Sequence, residues 1–311
     1  MAGSAGGPKG RQAVTNASAV RNAAIFVEGL DSLPTLSTSA QAVLEAVQRP
    51  AFDFHLVSSL VEQDPSLAAR LLKVANSAFY PSLQRVANLQ LALSRLGAAE
   101  VGQLVLASAI IDVFNARHGG MDWQGFWNHS YACAIAAHLA SEPAFRGAAA
   151  KNLGGNPYFV AGLVHNLGIL VEYAGDPAGF ESARQLAVKN GISLSEAERT
   201  VFGFTHAETG GILLEKWRLP GAVVDSALAH HDPDSYTGDH RKAVHAVHLS
   251  AMLCHGLGRS ASFDPVLPGH SAQALLALGW TPERLPELQQ RVAEAYERGT
   301  RLASAMLGSA E

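Results

Sequence analysis

Thirteen histidines in 311 residues supply most of the side chains here that could do chemistry near neutral pH. Imidazole titrates there, and it is also the commonest metal ligand. Five of them run in order through the second half of the chain: His129, His165, His206 and the adjacent pair His230 and His231. The members of the series fall within, or at the end of, different helix-patterned segments. Several helices turning imidazoles inward is how an all-helical scaffold builds a metal site. The competing reading is that each imidazole is satisfied separately in the core. The stretch "FVAGLVHNLGIL", residues 159–170, poses the question most sharply. It reads as a buried helix, yet it carries His165 beside Asn166, and both are costly to bury without partners.

The other histidines read as surface or hydrogen-bonded core residues: His55, His118, His138, His240 and His270. His138 follows His129 by nine positions, which at about 100° per residue places it on the opposite helix face. His245, His248 and His255 share a face of a later helix, where His248 is a candidate to border the same pocket as the five, against the reading that it simply packs in a helix interface. Other chemistries lack their signatures. No GxSxG elbow is present. "GLGRS" and "GGPKG" lack the spacing of a phosphate loop. Cys133 and Cys254 sit in apolar helical patterns with no CxxC.

Helical periodicity positions these residues from about residue 21 onward, and no alternating strand pattern competes with it. In the first half, Asp64 and Pro65 open one helix as N-cap and first helical residue, and Leu67, Leu71 and Val74 stripe its face. Gly97 separates two later helices, and Gly119-Gly120 marks a joint. The second half continues through "MDWQGFWNHSYACAIAAHLAS", "NPYFVAGLVHNLGILVEYA", "THAETGGILLEKWRL" and "HRKAVHAVHLSAMLCHGLG", bounded by Gly, Pro, Asn or Asp. A Pro- and Gly-rich stretch then leads to a final amphipathic helix from about Glu283 to Met306, expected to fold back on the body, with pairing to another chain as the alternative. The fold expected is all-α: a compact multi-helical bundle with an N-terminal helical subdomain.

Composition narrows the class. The hydrophobic share is 48% and the charged share 16%, with a net charge of −4. A dedicated nucleic-acid binder would usually be basic, so nucleic acid is not an expected partner. The apolar runs fall short of a membrane span. Two cysteines without a disulfide framework fit the cytoplasm. Residues 1–20, rich in Gly and Ala, read as a disordered tail.

Several segments together resemble a known family. "LPTLSTSAQAVLEAV", "LVEQDPSLAARLLKVANSAFY" and "ALSRLG" resemble the opening of the HDOD domain, the HD-related output domain of bacterial signalling proteins. "FWNHSYACAIAAHLA", "YFVAGLVHNLGILV", "FGFTHAETGGILLEKWRLP" and "ALAHH" resemble its second part. The resemblance spans about residues 21–256, divided into an N-terminal helical part (21–118) and an HD-like part (121–256), with a linker and C-terminal helix over 257–311. The HD superfamily comprises metal-dependent phosphohydrolases, and the resemblance implies metal ligands at His129, His165, His206, His230 and His231. Asn166 and His248 are implied to border the pocket.

The departures bear on mechanism. Asn166 stands where the HD dyad has its aspartate. Ile169 stands where the catalytic HD-GYP branch has a lysine, the Gly-Tyr-Pro signature is missing, and no aspartate stands near Ala251. A dinuclear centre needs an anionic oxygen to bridge two cations. The ligands left here are neutral, which suits one transition-metal ion (zinc, iron, nickel or copper). The resemblance therefore implies a non-catalytic regulatory module that acts through contacts with signalling proteins and is gated by a metal or small ligand such as a cyclic nucleotide. A homodimer is a further partner consistent with it. The alternative is a metal-dependent phosphohydrolase acting on cyclic dinucleotides or nucleotides.

Overall fold

The structure, a computed structural model, describes residues 17–30, 35–47, 53–76, 86, 88–115, 121–142, 157–258, 264–266 and 271–307. His118, His270, the Gly119-Gly120 joint and residues 1–16 of the expected tail lie outside the described residues. Among the described residues every regular element is helical, so the fold is all-α. None of these helices is long and apolar enough to cross a membrane.

The front half is a layer of short helices: α2 (Thr38–Val47), α3 (Phe54–Glu62), α4 (Pro65–Ala75), α5 (Leu89–Leu96) and α6 (Ala98–Asn115), with α1 (Ala17–Glu28) ahead of them. Their starts follow capping chemistry. Asp53 accepts from the backbone N–H groups of His55 and Leu56, Asp64 from Leu67, and Asn88 from Leu91. Leu67 and Leu71 are buried as their spacing requires, while the Val74 side chain lies outside those described. Asn76 ends α4 structurally. Its amide donates to Leu72 O and Val86 O, and its oxygen accepts from the Val86 N–H, which ties the chain reversal shut.

The back half contains α7 (Trp123–Ala140), α8 (Pro157–Val164), α9 (Leu167–Gly175), α10 (Pro177–Asn190), α11 (Leu194–Val201), α12 (His206–Lys216), α13 (Gly221–Ala229) and α14 (Arg241–Gly256). α7 is its axis and packs on both α8 and α14. The alanines at 132, 134, 136 and 137 let these neighbours approach closely. At Gly162 a side-chain carbon would meet Cys133 O at 2.5 Å, so only glycine fits where α8 crosses α7.

Three sequence expectations change. The segment 156–174, expected as one helix, breaks at His165 and Asn166 into α8 and α9, because α8 packs on α7 while α9 must turn to pack on α12. α1 begins at Ala17, inside the segment read as tail. It packs on α12 of the back half through Ala19, Ala23 and Val27, and Phe26 lies 5.2 Å from the Phe204 ring. The region after 257 is not a simple linker. It contains α15 (Ala272–Ala277) on α14, and Trp280, fully buried, donates to Ala140 O at 2.7 Å. The last helix, α16 (Leu285–Leu307), folds back as expected. It lies against α7 and α4 with Leu288, Val292 and Tyr296 buried, and so joins the two halves.

Candidate functional site

The break between α8 and α9 explains the His165-Asn166 pair. α9 closes on the first turn of α12, where a side-chain carbon at Gly168 would collide with His206 O. His165 thus sits at the elbow between two close helix crossings and is 1% exposed. Its Nδ1–H donates to Gly162 O at 2.7 Å, leaving Nε2 with its lone pair. His230 repeats the device at the end of α13, where its Nδ1–H donates to Ala227 O at 2.8 Å. Its Nε2 is buried and has no hydrogen-bond partner.

His206 is held more firmly. A capping box opens α12: Glu208 accepts from the Thr205 backbone N–H at 2.7 Å and from the Thr205 hydroxyl, while Arg199 binds its other oxygen at 3.0 Å. Glu198, from α11, takes both the His206 backbone N–H (2.9 Å) and its ring Nδ1 (2.7 Å). The carboxylate therefore fixes the ring and turns Nε2 toward the His pair, where it lies 2.8 Å from His231 Nε2. Ring centroids are 4.8 Å apart for His206 and His231 and 4.0 Å for His230 and His231.

The five histidines do not converge on one point. Among the described residues they divide into two groups whose ligand atoms lie within 4.8 Å of one another: His206, His230 and His231, and separately His129 and His165 with Cys133. The groups meet at His165 and His230, whose rings are 5.0 Å apart, edge to face. Cys133, one helical turn after His129 on α7, was missed in the sequence, although i, i+4 spacing puts the two on one face.

A second layer was also missed. Glu172 of α9 and Glu198 are buried side by side, and Thr209 Oγ1 donates to Glu172 at 3.3 Å. Burial, then the neighbouring Glu198 charge, pushes the Glu172 carboxyl well above its usual range. The raised carboxyl of Glu172 favours its protonated form. Burial pushes His206 down, but Glu198 outweighs it and holds the imidazole above its ordinary value. His165 and His231 are held well below theirs, by burial and then by His230, and burial with His206 brings His230 to about 3. The isolated acidic letters of "SEAERTVFG" carried no sign of this. Only the packing of α11 on α12 brings Glu198 to His206.

The pocket opens outward at His231. A cleft of about 280 Å³ is lined there by Ser195, Arg199, Thr205, Glu208, His231 and Asp232, among others. The remaining sequence candidates lie around it. Asn166 is 9% exposed and caps α9 without a side-chain cap bond. Ile169 is core. His248 belongs to neither group. Its Nδ1–H donates to His230 O at 2.8 Å, so it positions the backbone of the pair. His138 is buried, with no hydrogen-bond partner on Nδ1, and burial with Arg291 lowers it to about 4. His240 pairs with Asp225 at 2.7 Å, and His55 is exposed.

Helix order, a broken helix carrying the dyad position and a histidine pair ending the next helix but three form a pattern that can be matched to known proteins. The model of the HDOD domain matches residues 33–233, more than half of the chain. The chain belongs to the HDOD domain family. An HDOD domain protein of unknown function from Geobacter sulfurreducens is 25% identical, with a TM-score of 0.73, covering 93% of this chain and 97% of that one. A protein of Marinobacter aquaeolei VT8, named for signal transduction, is 24% identical with a TM-score of 0.78. That match covers 94% of this chain and 67% of the other. An uncharacterized protein of Treponema pallidum is 22% identical over 245 residues. The match covers 78% of this chain, which spans about half (46%) of that relative's length.

The metal chemistry of the wider HD superfamily can be tested against this HDOD domain's own donors. Among the described residues neither ligand group contains a carboxylate. A bridged two-metal centre therefore does not fit. A single ion does: His206, His230 and His231 direct imidazole nitrogens to one place, and Glu198 supplies the carboxylate that backs a ligating histidine.

Proposed function

We propose that this chain is a signalling module that works through protein contacts, its former hydrolase pocket now setting conformation instead of cleaving substrate. The observation that carries the reading is the chemistry of the pocket. Its convergent donors are imidazoles, the dyad aspartate is replaced by Asn166, and the proton-donor position is the buried aliphatic Ile169. His206, His230 and His231 would hold one transition-metal ion, which would supply a positive charge tying α12 to α13. The residues around it do the positioning. Glu198 orients His206, Ala227 O orients His230, and His248 fixes the backbone of the pair. Partner surface is assigned to the front helices, where Phe54 and Leu91 are 46% and 41% exposed on the packed pair α3 and α5. The naming of the Marinobacter relative for signal transduction supports this reading. The two buried free thiols agree with a cytoplasmic location.

The competing reading is a metal-dependent phosphohydrolase. The cleft that opens on His231, with Arg199 in its wall, has room for a phosphate-bearing ligand. One assay decides between them. The full chain, supplied in turn with manganese, iron and zinc, is expected to turn over cyclic dinucleotides more slowly than about 1 per second, the low end for enzymes. Faster turnover that His165→Ala abolishes would establish the hydrolase and overturn the proposal.

A further inference from the structure

The second ligand group has a chemistry of its own. His129 and Cys133 project from one face of α7 a turn apart, and His165 reaches them from the α8–α9 elbow. Cys133 Sγ lies 3.4 Å from His129 Nε2. A cation held tetrahedrally at about 2.3 Å from sulfur and about 2.05 Å from nitrogen puts those two atoms about 3.6 Å apart. The separation is thus that of two ligands on one ion. His165 has its Nδ1 committed to Gly162 O, which leaves Nε2 as the coordinating atom, the arrangement a ligating histidine needs. Cys254 and Ser250 of α14 lie beside Cys133 and form the outer shell of the sulfur. Cys133 and Cys254 are fully buried, and His129 and His165 are 7% and 1% exposed.

We infer that His129, Cys133 and His165 form a thiolate-bearing metal seat, adjoining the imidazole pocket where His165 meets His230, that takes a thiophilic d10 cation, Zn(II) or Cu(I). Sulfur is what selects it: thiolate prefers these ions, while magnesium, calcium and manganese prefer oxygen. Binding sends the Cys133 thiol proton to solvent and leaves an anionic ligand. That anion neutralises Cu(I) outright and halves the charge of Zn(II), which lowers the cost of burying the ion. The inference stands on its own residues and does not depend on the reading of the His206 pocket.

The test uses the full chain, stripped with a chelator and reloaded with cobalt(II), zinc or Cu(I). Cobalt is expected to produce a thiolate-to-metal charge-transfer band that persists in His231→Ala and vanishes in Cys133→Ser. X-ray absorption of the zinc-loaded wild type is expected to show a sulfur neighbour at about 2.3 Å, a reading that needs no variant to fold. Cys254→Ala should weaken zinc binding about 10- to 100-fold through the outer shell. A shell of nitrogen and oxygen alone in the wild type overturns the inference, as does a charge-transfer band that survives Cys133→Ser. A nitrogen-only ion lost in His231→Ala removes this seat and keeps the imidazole pocket. A sulfur-ligated ion with no metal lost in His231→Ala does the reverse. Competition between zinc and Cu(I) for the cobalt-loaded protein separates the two cations.

Discussion

His206 and His231 point their Nε2 atoms at each other across 2.8 Å, from the first residue of α12 and the turn after α13. One of the two must donate. Glu198 holds His206 above its ordinary value, while burial and then His230 hold His231 well below its own, so His206 is the stronger base of the two. The order of groups is therefore Glu172, Glu198, His206, His231, running from the core to the cleft. The point occupied by that proton is where a cation would be shared.

If Glu198 is the group that orients His206, Glu198→Gln weakens zinc binding about 10- to 100-fold while all three imidazoles remain. Competition with a chromophoric chelator measures this. Unchanged affinity would mean that the ion is not held at His206.

Gly168→Ala forces α9 away from the first turn of α12, because its new carbon meets the His206 carbonyl. The expected loss is about 1–3 kcal/mol or more, as for an overpacked core. Metal affinity falls with it, since His206 moves. Chemical denaturation and a zinc titration on the same preparation give both numbers, and an unperturbed midpoint would show that the crossing is looser than described.

The proton on Glu172 makes stability depend on pH with a definite sign. Its carboxyl is raised from 4.5 by burial first and then by Glu198, with Glu208 adding to the shift and Thr209 opposing it. The native state therefore keeps a proton that the unfolded chain releases. The stabilisation is complete below pH 4.5 and is lost as pH rises toward the folded value, with a slope of up to about 1.4 kcal/mol per pH unit. Glu172→Gln imitates the protonated acid and removes this slope. Melting curves from pH 5 upward should fall more steeply for wild type than for the variant, and parallel curves would place the proton elsewhere.

Asn166→Asp returns an anionic oxygen to the dyad position, so added zinc should raise the melting temperature more in the variant than in wild type. Without metal, a buried unpaired carboxylate should lower it. Equal behaviour of the two proteins with and without zinc would show that this side chain does not face the imidazoles.

Much of the fold was legible one segment at a time. Asp64 with Pro65, the apolar stripe of Leu67 and Leu71, and the turn-marking glycines are local signals, and they bounded helices to within a few residues. The family resemblance implies a structural role for Asn76, capping and chain reversal, and its bonds to Leu72 and Val86 agree with it. α1 was misplaced because Ala19, Ala23 and Val27 show that a face will be buried but not against what. The Phe202–Phe204 surface that receives it lies far along the chain.

The sequence by itself determined the chemical vocabulary of this protein: an all-helical HDOD domain, imidazoles in ordered positions, an amide where the superfamily has an acid, an aliphatic where one branch has a lysine. The helices follow from periodicity and the rest from the resemblance that the motifs carry, and both are properties of short stretches. Only the tertiary structure decided that the five histidines form two groups, that Cys133 joins one of them, and that Glu198 and Glu172 stand behind the other. Each of these depends on the angle at which one helix crosses another. That angle is set by surfaces interlocking across long separations, such as Gly162 of α8 against α7 and Gly168 of α9 against α12. Helical spacing says which face of a helix a residue occupies, and packing alone says whose face it meets.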